Sequence, residues 1–237
     1  VRLHRFLAAR FDRRSELGLR FTISLALCCG ALWAFSGLLD GVLDNETLVR
    51  WDFVVNAWFH AHATAAGLRV FNIVTMLGTV GVGVVIVAAA VWLWRRDERL
   101  LLWSWLAVNA GGWLIQLVLK STVHRARPQY AARYLFGHSY SFPSGHAMQS
   151  MVCYPALAIL VATLLGWHGA RRAWLYVAAL AIAVLVAFSR VYLGVHYPSD
   201  VLGGLAAGLA WLIACRMIVR YLRNRNGDRD AAATGPA

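Results

Sequence analysis

"SFPSGHAMQSMVCYPALAILVATLLGW", Ser141–Trp167, begins as a turn and continues as an apolar run. Pro143, Ser144 and Gly145 are turn formers, His146 follows them, and no Asp, Glu, Lys or Arg appears from there to Trp167. About 20 such residues, each adding about 1.5 Å to a helix, cross the roughly 30 Å of hydrocarbon in a bilayer. Charge-poor runs of similar length stand near 21–39, 71–94, 100–119, 173–189 and 201–219. With the run at 147–167 they predict an all-α integral membrane protein, a six-transmembrane-helix bundle. Its composition, 60% hydrophobic and 14% charged over 237 residues, lies outside the range of a soluble domain. There is no internal repeat, and the expectation is a single membrane-embedded domain over 1–222 with a disordered cytoplasmic tail over 223–237.

The formal net charge of +12 would suggest nucleic acid in a soluble protein, but its distribution follows the membrane instead. Arg2, Arg5, Arg10, Arg13, Arg14 and Arg20 precede the first run; Arg95, Arg96 and Arg99 follow the second; Arg171 and Arg172 follow the fourth; Arg216, Arg220, Arg223, Arg225 and Arg229 close the chain. A six-span topology puts all of these on one side, which the positive-inside rule makes cytoplasmic. Both termini are therefore expected in the cytoplasm of a cell with its plasma (inner) membrane as host. The first run reads as an uncleaved anchor, because five further spans follow it. Cys28, Cys29, Cys153 and Cys215 lie within spans without metal-ligand spacing and read as packing residues.

Between the first two spans, "DNETLVRWDFVVNAWFHAHATAAGLRV" (residues 44–70) carries Leu48, Trp51, Val55, Trp58, Phe59 and His62 at three- and four-residue steps. That spacing predicts an amphipathic interfacial helix on the outer membrane surface, with Asp44, Glu46 and Asp52 off its apolar stripe. Gly78, Gly81, Gly111, Gly112, Gly204 and Gly208 are expected to let helices approach closely. His60, His62, His124, His138 and His168 read as interfacial polar residues.

Seven cations break the topological rule: Arg50, Arg69, Lys120, Arg125, Arg127, Arg133 and Arg190. Five of them crowd the outer ends of spans 3 and 5, where an anion or a hydrated cavity would retain them. "KSTVHRARP" (120–128) places the chain's single lysine seven residues before Arg127. "PSGH" (143–146) sets Ser144, Gly145 and His146 at the mouth of span 4. "SRVYLGVHYPSD" (189–200) spreads Ser189, Arg190, His196 and Asp200 across the turn into span 6. His146 and Ser189 are 43 positions apart, the length of two spans and a turn, so all three clusters return to one surface.

The three blocks, K-x6-R-P, P-S-G-H and S-R-x5-H-x3-D, resemble the tripartite motif of the type 2 phosphatidic acid phosphatase superfamily. The six-span layout is similar to that of its bacterial membrane lipid phosphatases. The resemblance implies a lipid phosphate or diphosphate phosphatase acting at the outer leaflet through a phosphohistidine. Undecaprenyl diphosphate, phosphatidylglycerol phosphate, phosphatidate and a lipid A phosphate are the candidate substrates.

The residues support that chemistry independently. Ser144 can cap a helix, Gly145 opens its backbone to a ligand, and the amides of the first turn attract an oxyanion. Arg127 and Arg190 offer forked donors and Lys120 a point charge to a transferring phosphoryl group. Asp200, four positions after His196, can orient that ring as the nucleophile, while His146 serves as general acid and base. Asp200 can also cap span 6 behind Pro198. Arg125 and Arg133 read either as solvated loop charges or as binders of a second phosphate or headgroup. No Gly-x-Ser-x-Gly elbow accompanies Ser144, so it reads as a donor. No carboxylate cluster suits a divalent metal, and neither a metal nor a cofactor is expected. The expected partners are the lipid phosphate substrate and membrane lipids, not nucleic acid. The alternatives are a lipid phosphotransferase with the same site, or a non-catalytic lipid-phosphate binder or transporter.

Overall fold

The computed structural model describes residues 18–44, 47–129 and 140–233, with helix side chains as far as Tyr221. Among these residues all regular structure is helical: α1 (Leu19–Leu43), α2 (Thr47–His62), α3 (Ala65–Met76), a π-helical turn (Leu77–Gly81), α4 (Val82–Arg95), α5 (Arg99–Val123), α6 (Gly145–Leu164), α7 (Gly169–Tyr192) and α8 (Pro198–Ala233). Six helices are long and apolar enough to cross a membrane, the second being α3, the π turn and α4 in one continuous run, Ala65–Arg95. The chain is an integral membrane protein.

That second span starts earlier than 71 because Thr64 caps it. Its Oγ1 accepts the Gly67 N–H at 3.0 Å, and its own N–H donates to Tyr192 Oη at 3.2 Å. The Arg69 side chain turns back to the Ala65 carbonyl at 3.3 Å, which keeps the guanidinium toward the span's end.

α6 is the central helix and packs on α4, α5, α7 and α8. Leu93, Trp105, Cys153, Leu160, Ala179 and Leu212 form the largest buried cluster around it. Lipid is as apolar as these side chains, so close packing rather than escape from water must hold the helices together. Gly204 and Gly208 make that possible between α6 and α8. A Cβ on Gly204 would stand 2.5 Å from the Ser144 carbonyl oxygen, and one on Gly208 2.7 Å from that of Met148. Trp33, Ile73, Trp103 and Trp174 point outward, as lipid-facing side chains do. Cys153 and Cys215 are buried packing residues, while Cys29 is exposed.

The segment between the first two spans is helical, and Asp52 and Asn56 face the bundle, while Trp51, Phe53, Val54 and Trp58 are exposed. α2 turns Asp52 to the buried Ser199 at the start of α8 and leaves its tryptophans outward, as an amphipathic interfacial helix does. At the other end, the backbone of α8 runs on to Ala233.

Candidate active site

The turn from α7 to α8 is built by local rules that leave one histidine facing inward. Gly194 takes φ 66°, its N–H donates to the Val191 carbonyl at 2.9 Å, and the Val195 N–H donates to the Arg190 carbonyl at 3.2 Å. This bond pair closes α7 as a Schellman motif. Pro198 occupies the first position of α8, and Asp200 Oδ2 reaches back to accept the Tyr197 N–H at 2.8 Å, half of a capping box. His196 is held between these two caps and is 1% exposed.

Its ring has a defined environment on each side. Nδ1 lies 3.3 Å from Asp200 Oδ2, and Arg127 Nη1 lies 3.1 Å from Nε2. A guanidinium only donates, so Nε2 is the acceptor and Nδ1 carries the proton. Burial pushes the imidazole pKa down to about 3, with Asp200 opposing and Arg127 and Arg190 adding to the fall. The ring is thus neutral near pH 7, with its Nε2 lone pair toward the cations. Ser141 Oγ donates to Asp200 Oδ2 and lies 3.4 Å from His196 Nδ1.

The opposite wall is the N-terminus of α6. The Ser144 N–H donates to the Asp200 carbonyl at 2.9 Å, tying the start of α6 to that of α8. Ser144 is the N-cap residue, yet its hydroxyl makes no capping bond; it is buried and has no protein partner among the described residues. First-turn amides have no intrahelical acceptor, so this end offers donors to an oxyanion. Gly145 is needed for close approach, since a Cβ there would meet the Gln116 side chain at 3.0 Å. His146, in the same turn, lies within electrostatic reach of Arg190, His196, Lys120 and Arg127.

The cations complete the wall. Arg190 is 7% exposed; its Nη1 donates to Thr75 Oγ1 at 2.7 Å, and its Nε is buried without a protein partner among the described residues. Arg127 Nη1 also donates to the Val195 carbonyl at 3.0 Å, and Lys120 Nζ donates to the Tyr140 carbonyl at 2.8 Å. Lys120, Arg127, Ser144, Gly145, His146, Arg190, His196 and Asp200 therefore gather at one end of the bundle. A neutral, oriented imidazole facing guanidiniums and a helix N-terminus is suited to a tetrahedral oxyanion.

Arg125 corrects both sequence readings of it, for it is neither a solvated charge nor a free phosphate donor. Nη1 donates to Asp200 Oδ1 at 2.6 Å and to Ser199 Oγ at 2.7 Å, and Nη2 donates to Asp52 Oδ2 at 2.6 Å. Two acids and a serine outcompete water for its donors. Sequence reasoning also missed Ser141, Thr75, Ser199 and Asp52. Ser141 opens the quoted stretch before Pro143, Ser199 stands inside the third motif block, and both were legible as polar neighbours. Asp52 showed only as an acid between Trp51 and Phe53. Arg133 and His138 lie outside the described residues.

Residues 98–224 match the PAP2 superfamily. Phosphatidylglycerophosphatase B of Bacillus subtilis is 40% identical over 126 residues, which are 53% of this chain and 61% of that protein. A putative undecaprenyl-diphosphatase of Escherichia coli is 42% identical over 78 residues, 33% of this chain and 34% of that one. The matched stretch thus spans between a third and two thirds of these relatives. The crystal structure of a transmembrane PAP2-type phosphatidylglycerolphosphate phosphatase from Bacillus subtilis superposes with a TM-score of 0.70 at 29% identity, covering 80% of this chain and 94% of that one. The family match takes in more than half of the sequence and all three motif blocks. By that extent, and by the fold shared with a solved transmembrane member, the chain belongs to the PAP2 superfamily.

Proposed function

We propose that the protein is a membrane lipid phosphatase that hydrolyses a lipid phosphate or diphosphate at the extracytoplasmic leaflet through a phosphohistidine on His196. The observation that carries this reading is the setting of His196: Nδ1 on Asp200, and Nε2 toward Arg127 beneath the N-terminus of α6. The buried Ser144 Oγ and Arg190 Nε, without protein partners among the described residues, support it as ready donors to a phosphoryl group.

On binding, the nonbridging oxygens take donors from Lys120, Arg127, Ser144, Arg190 and the amides at Gly145. The Nε2 lone pair forms an N–P bond as the P–O bond to the lipid breaks, and His146 gives the departing oxygen a proton. Asp200 stabilises the positive charge on the ring. His146 then takes a proton from water, whose oxygen bonds to phosphorus while the N–P bond breaks, releasing inorganic phosphate. The charge that develops is met by cationic side chains and backbone dipoles, so this pathway requires no metal ion.

The substrate class is a membrane lipid ending in a phosphate or diphosphate. Phosphatidylglycerol phosphate and undecaprenyl diphosphate, which the relatives' names specify, stand first, followed by phosphatidate and a lipid A phosphate. Both termini face the cytoplasm of a cell with this protein in its plasma (inner) membrane, and the site faces the extracytoplasmic side, on the strength of the arginine distribution.

The test is phosphate release from a panel of these four lipids by purified protein in detergent, with and without excess EDTA. Turnover that persists in EDTA and is blocked by vanadate is expected. No release from any lipid would overturn the phosphatase reading, and activity lost to EDTA and restored by a divalent cation would overturn the metal-free pathway.

A further inference from the structure

Asp200 divides its oxygens between two tasks. Oδ2 serves Ser141, the Tyr197 amide and His196, whereas Oδ1 accepts from Arg125 at 2.6 Å. Arg125 also reaches Asp52, on a helix that carries none of the three motif blocks, at 2.6 Å. The three side chains are 10%, 2% and 0% exposed for Arg125, Asp52 and Asp200. Asp52 is fixed in turn by the Ser199 N–H at 3.0 Å and by the Ser199 hydroxyl. The guanidinium lies 4.4 Å from the centre of the Tyr197 ring. Burial alone would weaken the hold of Arg125 on its proton, but the two carboxylates more than offset this and raise its pKa.

We propose that Asp52 is a positioning residue for the His196–Asp200 pair, sharing the charge of Arg125 so that Asp200 keeps the negative charge His196 needs. The inference rests on the phosphatase reading above. One guanidinium facing one carboxylate is a neutral pair; facing two, it leaves one net negative charge in the cluster. In a site this dry that charge acts on its neighbours with little screening. It strengthens acceptance of the Nδ1 proton and stabilises the cationic ring once Nε2 is bonded to phosphorus. Without Asp52, the whole charge of Arg125 falls on Asp200, and the covalent step slows. Asp52 touches no substrate oxygen, so ground-state binding is left nearly unchanged.

The test compares kcat and KM for the full-length protein in detergent on whichever lipid phosphate the unsubstituted protein turns over. Asp52→Asn is expected to lower kcat by about tenfold, within the range of coupling between contacting residues, with KM held within about twofold. Asp52→Glu, which keeps the carboxylate at the cost of fit, should retain more kcat than Asp52→Asn. The double variant Asp52→Asn/Arg125→Gln restores one net negative charge and should recover part of the kcat lost in Asp52→Asn. An Asp52→Asn kcat equal to wild type, an Asn variant as good as or better than the Glu variant, or a double variant whose loss is the product of the single losses would each overturn the proposal. A wild-type protein inactive on every lipid would overturn the phosphatase reading and this inference with it; wild-type turnover with an unaffected Asp52→Asn would overturn this inference alone.

Discussion

The two ends of the bundle use the same residue type in opposite ways. At the His196 end, Arg125, Arg127 and Arg190 are at least half-buried, and each donates to named partners within 3.1 Å. At the other end, Arg95, Arg96 and Arg99 are exposed. Arg96 lies 5.3 Å from the Trp92 ring centre, Arg99 4.1 Å from that of Trp94, and the Arg99–Asp97 pair is 51% and 79% exposed. Exposed pairs of this kind contribute about 0–1 kcal/mol each. On the topology proposed above their effect is collective: they oppose translocation and orient the protein. A buried guanidinium bears a desolvation cost that only a dense set of acceptors offsets. Partners and burial, rather than the number of arginines, therefore separate a site from an anchor.

Accessibility breaks or confirms this division most sharply. Single cysteines at Gln129 and Asp97, both exposed positions at opposite ends, are introduced in a background lacking the native cysteines. An impermeant thiol reagent added to intact cells should label the cysteine at 129 and reach the one at 97 only after lysis. The reverse pattern would put the His196 end in the cytoplasm and remove the case for an extracytoplasmic substrate.

Chemistry sharpens the same comparison. His196→Ala and His146→Ala should each lower turnover by about four orders of magnitude, as loss of a nucleophile or its proton carrier does. Arg99→Ala, at the anchoring end, should stay within about twofold of wild type. Trapping separates the histidines: with a good leaving group, the His146 variant should still accumulate phosphoenzyme and the His196 variant should not. Labelled phosphoenzyme in His196→Ala would reverse the assignment.

What was legible in the sequence is what local rules write down. The span lengths, Pro198 opening a helix and the three motif blocks need only neighbouring residues, and the structure gathers them at one end. The partners of those blocks were not legible, because they arrive from elsewhere. Asp52 and Arg125 are 73 positions apart, and Thr75 and Arg190 are 115 apart. The partners of α2 could not be read from its own periodicity, because Arg125 and Ser199, which hold Asp52, come from distant parts of the chain.

The position of His146 is tied to a feature of the same non-local kind, the π turn at Leu77–Gly81, and yields a smaller expected loss than removal of either histidine. The turn interrupts α-helical spacing, and Tyr154 Oη donates to the Leu77 carbonyl within it at 2.6 Å. Gly78 is thereby turned toward α6 and α7. A Cβ there would stand 2.6 Å from Val186 Cγ1 and 2.9 Å from His146 Cδ2, closer than either side chain can accept without moving. Gly83, just beyond the turn, has nothing within 4 Å of the same added atom. Gly78→Ala should therefore displace His146 and lower kcat by up to about a hundredfold, the usual cost of a misplacement near 1 Å, although no charge or proton carrier is removed. Gly83→Ala should keep full activity and gain about 0.5–1 kcal/mol from helix propensity, read as a higher melting temperature. Equal kcat in the two variants would mean that His146 is not held by the π turn; a fall in kcat for Gly78→Ala alone, with KM little changed, would show the turn to be part of what aims it.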